Sequence, residues 1–242
     1  MRGRRAVCEV KEASAQKGDV MFVLNPIPPQ VDRKLLDIVV QAEPATIGHF
    51  LHMGFMDPDI RGIMPDRRIA GTAITVRVPG VDGTIIHYAL GQVRPGDVLV
   101  MERCGDNRHA SVGGAVAYAA MRAGLAGIVT EGRYTDLGEL RQYGVPVWGR
   151  GPSPVTSKRV GLGGEFCTTI TCGGTTVRPG DIILADENGV LVLPPDQAQA
   201  IAERAIGMQN AEKTTLKRLD AGEKLPDITG ASAMIREKMA KT

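Results

Sequence analysis

Residues 97–143 read DVLVMERCGDNRHASVGGAVAYAAMRAGLAGIVTEGRYTDLGELRQY, and this stretch decides the fold. Apolar runs at 97–102 and 126–131 predict two buried strands, and helical spacing predicts helices over 113–123 and 136–143. An alternation of strand and helix is typical of parallel βαβ units joined by right-handed crossovers. The centre of the chain is therefore predicted to be an α/β layer.

Further elements are predicted on both sides of this centre. Upstream, the spacing predicts helices at 34–40 and 45–53, a strand at 69–78 and a helix at 84–93. Downstream, residues 165–193 carry only strand signals, interrupted by two glycine-containing turns that are typical of hairpins. The predicted fold class is mixed α/β, with an added β layer beside the α/β layer.

The ends of the chain divide it into three predicted segments. Residues 1–31 form an irregular N-terminal arm rich in proline at its end, 32–194 the α/β domain, and 195–242 a C-terminal helix and tail. Asp196 can cap a long amphipathic helix toward Gly222, and the charged tail beyond it is expected to be irregular.

Two segments 84 residues apart resemble each other. They read RPGDVLV at 94–100 and RPGDIIL at 178–184, and each places a Pro-Gly turn before a buried strand. We interpret the similarity as shared turn chemistry rather than as an internal repeat.

Composition excludes several classes of protein. The 242 residues are 43% hydrophobic and 23% charged with a formal net charge of +2, which is typical of a globular chain. Scattered basic residues and few aromatic ones argue against binding of nucleic acid, and no apolar run approaches the roughly 20 residues of a membrane span. Four widely spaced cysteines predict neither a disulfide framework nor a zinc site. We expect a cytoplasmic protein with reduced thiols.

A glycine-rich loop at 105–114 leads into the central helix and is the first candidate site. The first turn of a helix exposes unpaired N–H groups, so the amides near Gly114, Ala115 and Val116 can hold a carboxylate or phosphate. The same glycines fit a second interpretation, in which they only permit close packing of the helix on a strand.

Asp136 is the best single candidate for a site residue. It follows the strand at 126–131, and ligands of open α/β sheets bind at the carboxyl ends of strands. It also stands just before the helix that begins near Leu137, where aspartate is a common N-cap. Both roles fit the spacing.

Several motifs resemble those of a known family: RIAGTAITV at 68–76, PGD at 95–97, Gly113 with Asp136 downstream, GVPVW at 144–148, and the stretch 179–190, which begins with PGD and ends with DENGV. They resemble the RraA-like proteins over roughly residues 32–225. This family includes the class II 4-hydroxy-4-methyl-2-oxoglutarate/4-carboxy-4-hydroxy-2-oxoadipate aldolases.

The resemblance implies a swivelling β/β/α domain that forms a homotrimer or a hexamer, with its C-terminal helix packing on a neighbouring subunit. In the aldolases the sites lie between subunits and hold Mg²⁺ or Mn²⁺ with a 2-oxo acid. Cleavage of a carbon–carbon bond releases pyruvate, and oxaloacetate decarboxylation is a usual side activity.

Individual site residues follow from the same resemblance. Asp136 matches the metal-binding aspartate, and the amides of Ala115 and Val116, which follow Gly113 and Gly114, match those that hold the pyruvoyl end. Glu212 matches an acid that reaches the water shell of the metal from the neighbouring subunit.

The sequence departs from the aldolase pattern at two positions. Thr135 stands where the aldolases have a substrate-contacting arginine, and Gly114 stands where they have an acidic residue near the metal waters. Residues two apart in an extended segment face the same side, so Arg133 can project toward the space of the missing arginine. Arg133 can equally face solvent.

Two functions are consistent with these residues. The first is a divalent-metal-dependent lyase, an aldolase or decarboxylase, that acts on a small 2-oxo or 2-hydroxy acid and uses Arg133, Thr135 and Glu212 around the metal at Asp136. Oxygen ligands and water favour Mg²⁺ or Mn²⁺. The alternative is a non-catalytic trimer that binds or regulates a partner, since a fold does not fix a function.

Overall fold

The structure is a computed structural model that describes residues 21–241. Thirteen strands and eight helices occur in these residues. In chain order they are β1 (Phe22–Leu24), α1 (Arg33–Val39), α2 (Pro44–Ile47), β2 (Arg61–Gly62), β3 (Ile69–Arg77), α3 (Thr84–Leu90), β4 (Asp97–Glu102), β5 (Ala110–Val112), α4 (Gly114–Ala123), β6 (Gly127–Thr130), β7 (Arg133–Tyr134), α5 (Leu137–Tyr143), β8 (Val147–Gly149), β9 (Gly164–Phe166), β10 (Ile170–Cys172), β11 (Thr175–Val177), β12 (Ile182–Asp186), β13 (Gly189–Leu193), α6 (Pro195–Asp220), α7 (Leu225–Ile228) and α8 (Ala231–Met239).

Four parallel strands, β3, β4, β6 and β8, form the centre of the main sheet in chain order. The helices α3, α4 and α5 connect them, which confirms the predicted βαβ alternation. The predicted limits of β4 are reproduced, and those of β6 and the two central helices differ by about a residue at an end.

The edge of β3 opposite β4 pairs with two antiparallel strands, each along part of its length. Residues 69–72 of β3 pair with β12, and Val76 and Arg77 pair with β9. β12 continues into the hairpin partner β13, and β10 and β11 form a second hairpin, so both predicted glycine turns are confirmed.

The core lies on both faces of this sheet. On one face, α3, α4 and α5 bury Ile86, Ala117 and Leu140 against the strands. On the other face, the β10–β11 hairpin and β12–β13 pack over residues such as Trp148. A third apolar cluster joins α1, α2 and the first half of α6 to β12 and β13. Mixed α/β architecture is thus confirmed.

The two Arg-Pro-Gly-Asp segments make the same turn. The Asp97 carboxylate accepts the N–H of Arg94, and the Asp181 carboxylate accepts the N–H of Arg178, each at 2.8 Å. Shared turn chemistry therefore accounts for the similarity of the two segments.

Both ends of the chain differ from the predictions. Residues 1–20 of the predicted arm lie outside the described residues, but Phe22–Leu24 is a strand because its backbone pairs with β9, a partner distant in sequence. The helix predicted over 45–53 ends at Ile47. The tail, expected to be irregular, contains α7, which has a proline in its first turn where proline is tolerated, and α8, in which no residue is Gly or Pro.

α6 begins on its own domain and ends in solvent. Ala198, Ala202 and Ala205 are buried against α1 and α2, whereas the side chains after Asn210 are mostly exposed. Among residues 21–241, no helix has the length and apolar character needed to cross a membrane. Cys104, Cys167 and Cys172 are free thiols, and Cys8 lies outside the described residues.

Candidate functional site

Two short parallel strands bring the candidate residues together. β5 pairs with β7, with Ala110 opposite Arg133, and the N–H of Thr135 donates to the carbonyl of Val112 at 2.8 Å. The turn that starts α4 and the turn that starts α5 therefore lie side by side. The structure thus joins the glycine loop and Asp136, which the sequence placed 22 residues apart.

Asp136 points its carboxylate at α4 and not at its own helix. Its backbone is left-handed, with φ 55° and ψ 43°, a conformation that aspartate tolerates better than most residues. Oδ2 accepts the N–H of Gly114 at 2.8 Å, and the side chain makes no capping bond to α5. Asp136 therefore occupies the predicted N-cap position of α5, but its side chain does not cap that helix because the left-handed turn directs its oxygens toward α4.

Gly113 and Gly114 leave room for carboxylates. A β-carbon at position 113 would lie 2.8 Å from Oδ2 of Asp136, and one at position 114 would overlap Oε2 of Glu139. The space beside the start of α4 is therefore occupied by side chains of α5. Side chains of this chain thus approach both glycines closely, and the binding of a carboxylate or phosphate ligand by the loop amides stays a prediction.

Glu139 is a further candidate residue, which the sequence alone did not single out. It lies in the first turn of α5, and the hydroxyl of Tyr143 one turn later donates to its Oε2 at 3.3 Å. Burial and the neighbouring Glu139 carboxylate raise the pKa of Tyr143, so its hydroxyl stays protonated at neutral pH. The pattern Asp-x-x-Glu at 136–139 was the available signal, since residues three apart at a helix start share a face.

The first turn of α4 offers further donors. The first intrahelical bond runs from the N–H of Ala117 to the carbonyl of Gly113 at 2.9 Å. The amides of Ala115 and Val116 precede it, so they have no partner inside the helix, and the positive end of the helix dipole lies there. Thr135 is close by, because its hydroxyl donates to Oδ1 of Asp136 at 3.3 Å.

The side chain of Arg133 lies in a different place from Asp136. Its Nε donates to the carbonyl of Asn107 at 2.9 Å and its Nη1 to the carbonyl of Arg150 at 2.5 Å. This guanidinium lines a cavity with Arg61 and Arg150, and Asp136 is not among the residues around that cavity.

Glu212 is exposed on the projecting half of α6, beside Lys213. No contact described for residues 21–241 joins it to Asp136.

The loop before β5 is organised by a carboxylate and a buried arginine. Asp106 accepts the N–H of Arg108, Nδ1 of His109 and Nη2 of Arg103 at 2.8–2.9 Å. Burial alone would raise the pKa of Asp106, but these donors and the N–H of His109 lower it. Arg103 is fully buried and also donates to the carbonyl of Gly80, so this pair fixes the loop that carries Asn107.

The donor set at Asp136 fits a hard divalent cation. Mg²⁺ is usually held by one or two carboxylates and keeps several waters. Asp136 and Glu139 supply two carboxylates beside Gly113 and Gly114, which have no β-carbon to displace them. Within residues 21–241, no group of three or more His, Cys, Asp or Glu side chains is arranged so that it could hold a metal ion.

One family model and several curated proteins match this chain. The model of the RraA-like family, described as Aldolase/RraA, matches residues 35–192. A 4-hydroxy-4-methyl-2-oxoglutarate aldolase of Thermus thermophilus is 35% identical over 127 residues, which cover 52% of this chain and 76% of that protein.

Solved structures are similar as well. RraAS2 of Streptomyces coelicolor, described as an unusual member of the RNase ES inhibitor RraA protein family, superposes with a TM-score of 0.70 and is 27% identical. The match covers 78% of this chain and 98% of the RraAS2 chain. The RNA-processing inhibitor RraA of Thermus thermophilus gives a TM-score of 0.54 at 31% identity, covering 58% and 84% of the two chains.

Proposed function

The chain belongs to the RraA-like family, and from that membership we propose that it is a lyase that cleaves a carbon–carbon bond in a small 2-oxo or 2-hydroxy acid. Mg²⁺ or Mn²⁺ is the proposed cofactor. The observation that carries the proposal is the pair of carboxylates, Asp136 and Glu139, beside the glycine start of α4.

Asp136 and Glu139 are the residues that would hold the cation. A bound divalent cation supplies Lewis-acid polarisation of the substrate's carboxylate and keto oxygens. Gly114 fixes Asp136 through its N–H, and Thr135 contacts the second carboxylate oxygen. These bonds orient the carboxylate before any ligand arrives, as outer partners of metal ligands generally do.

The amides of Ala115 and Val116 are the proposed binding groups for the substrate's carboxylate. They lie in the first turn of α4, where N–H groups and the helix dipole favour an anion. Asp136 lies close to this turn, because its carboxylate accepts the N–H of Gly114.

A neighbouring copy is proposed to complete the site. Glu212 lies on the exposed half of α6, which extends away from its own domain and is available to a second subunit. A homotrimer or hexamer in which Glu212 approaches the metal waters of the next subunit is consistent with this exposure. Glu212 of that neighbouring copy would help to position the water that accepts the substrate's proton.

Thr135 favours a second candidate function. A threonine hydroxyl lacks the charge of the arginine found in the aldolases, and one preorganised donor of this kind contributes on the order of 100- to 1000-fold in rate. We therefore expect slow cleavage of 4-hydroxy-4-methyl-2-oxoglutarate. If no 2-oxo acid is turned over, the second candidate is a non-catalytic trimer that binds a metabolite or a protein.

Pyruvate release from oxaloacetate and from 4-hydroxy-4-methyl-2-oxoglutarate tests the proposal. Activity should disappear with a chelator, return with Mg²⁺ or Mn²⁺, and be absent in Asp136→Asn. Asp37→Asn, on the surface of α1, is the matched control and should behave as the parent. Full turnover by Asp136→Asn contradicts the metal site, and no turnover by a folded, metal-loaded parent favours the binding protein.

A further inference from the structure

The cavity beside Arg133 carries a concentration of arginines. It has a volume of about 490 Å³, lies beside β7 and the end of β8, and is lined by Arg61, Arg133 and Arg150. Small-molecule sites in proteins commonly have volumes of about 300–1,000 Å³. Gly114, Asp136 and Glu139 do not line it, so it is separate from the candidate metal site.

Positive charge in this cavity is only partly neutralised. Asp59 is the single carboxylate among the lining residues, against three guanidinium groups. It contacts Arg61 at 3.4 Å, and both side chains are at least two-thirds exposed, a weak pair in solvent. Arg150 pairs with Asp57 at 2.9 Å.

Arg133 is the fixed element of the cavity. Two main-chain carbonyls hold its guanidinium, that of Asn107 on one side and that of Arg150 on the other. Carbonyl oxygens orient the group without cancelling its charge. Among residues 21–241, no carboxylate forms an ion pair with Arg133.

A more open depression of about 480 Å³ adjoins the same arginine. It shares Arg133 and Asn107 with the first cavity and adds the side chain of Arg108. Arg133 therefore lies between two accessible spaces, each with an excess of positive charge.

We propose that the cavity around Arg133 binds a small oxygen-rich dianion, either a phosphate group or a dicarboxylate. Guanidinium groups donate charge-assisted N–H bonds to carboxylate and phosphate oxygens, and a planar group fixed in advance loses little freedom on binding. The bonds described for Arg133 use Nε and Nη1, so Nη2 is the nitrogen that would donate to the anion. Arg133 supplies the fixed donor, and the exposed Arg61 closes over the anion from the mouth.

Calorimetric titration of the full-length protein, stripped of metal with a chelating resin, tests this site. Inorganic phosphate and malonate are the two probes, each compared with sodium chloride at equal ionic strength. Binding of either probe above the chloride control supports the site, and the stronger probe identifies the chemistry of the natural ligand. No binding of either probe overturns the proposal.

Variants locate the binding. Arg133→Gln and Arg61→Gln should each lower the affinity for the probe about tenfold or more, since each removes a charged hydrogen-bond donor. Arg61 is largely exposed, so Arg61→Gln stays informative even if Arg133→Gln folds poorly. Arg67→Gln, on an exposed turn elsewhere, is the matched control and should bind as the parent. Parent-like affinity in both cavity variants overturns the proposal.

Discussion

Substitution of Gly113 by alanine should disturb the candidate metal site without replacing a proposed metal ligand. The backbone at Gly113 is extended, with φ −130° and ψ −173°, so alanine can adopt it without strain. Its β-carbon, however, would lie 2.8 Å from Oδ2 of Asp136 and 3.0 Å from Cγ2 of Thr135. Because Asp136 is short and bonded to Gly114, its carboxylate must move by several tenths of an ångström.

The expected magnitude follows from the bond that is disturbed. A charge-assisted hydrogen bond contributes about 1.5–3 kcal/mol to stability. Replacing glycine by alanine stabilises the folded state by about 0.4–1 kcal/mol, because alanine lowers the conformational entropy of the unfolded chain. The free energy of unfolding should fall by about 1–2 kcal/mol, and Mn²⁺ affinity by about tenfold or more. Denaturant unfolding and titration with Mn²⁺ followed by electron paramagnetic resonance measure the two effects.

Alanine substitutions at two other glycines, one of them a control, complete the comparison. A β-carbon at Gly138 meets no atom within 4 Å, so Gly138→Ala should leave Mn²⁺ affinity unchanged and stabilise α5 by up to about 1 kcal/mol. Gly114→Ala would displace only the flexible end of Glu139, so it should weaken Mn²⁺ if Glu139 is a ligand while affecting stability little. Parent-like Mn²⁺ affinity in Gly113→Ala would refute the positioning argument.

Three further predictions concern the subunit interface, the missing arginine and a buried carboxylate. Mixing inactive Asp136→Ala and Glu212→Ala subunits should restore some pyruvate release through hybrid interfaces, and no recovery after demonstrated subunit exchange contradicts a shared site. Thr135→Arg should raise pyruvate release at least about tenfold, whereas an unchanged rate in a folded variant argues against an aldolase-like mechanism. Burial opposes ionisation of Asp82, but Thr84, Val160 and Leu162 donate to its carboxylate and lower its pKa from 3.8 to about 2. This stabilisation, about 2 kcal/mol, is present above pH 4 and is lost as the pH falls through about 2. The free energy of unfolding of Asp82→Asn should therefore be lower than that of the parent at pH 7, and the difference should shrink as the pH falls from about 4 through about 2, as denaturant unfolding can measure.

Local patterns predict the centre of this fold well because local and tertiary preferences agree there. The run at β4 is buried along nearly its whole length, and the glycine before α4 marks the helix start. The ends are less predictable, because β1 exists only through its pairing with β9, about 140 residues later.

The candidate site was predictable in its location and not in its geometry. The position of Asp136 after a strand indicated a site residue, but its left-handed backbone depends on the pairing of β5 with β7. The direction of Arg133 depends on carbonyls of Asn107 and Arg150, which lie 26 and 17 residues away. The Asp-x-x-Glu spacing could have drawn attention to Glu139, but its position over Gly114 depends on the tertiary structure.

The divided edge of β3 has a consequence for the chain as it leaves the ribosome. β3 pairs with β4 soon after both are synthesised, but its other edge waits for β9 and β12, the latter about 110 residues downstream. During that interval a nearly fully buried strand has unpaired N–H and carbonyl groups, the feature through which nascent chains associate wrongly. Nascent chains arrested before residue 186 should therefore require a chaperone to remain in solution, whereas chains that extend past β13 should not.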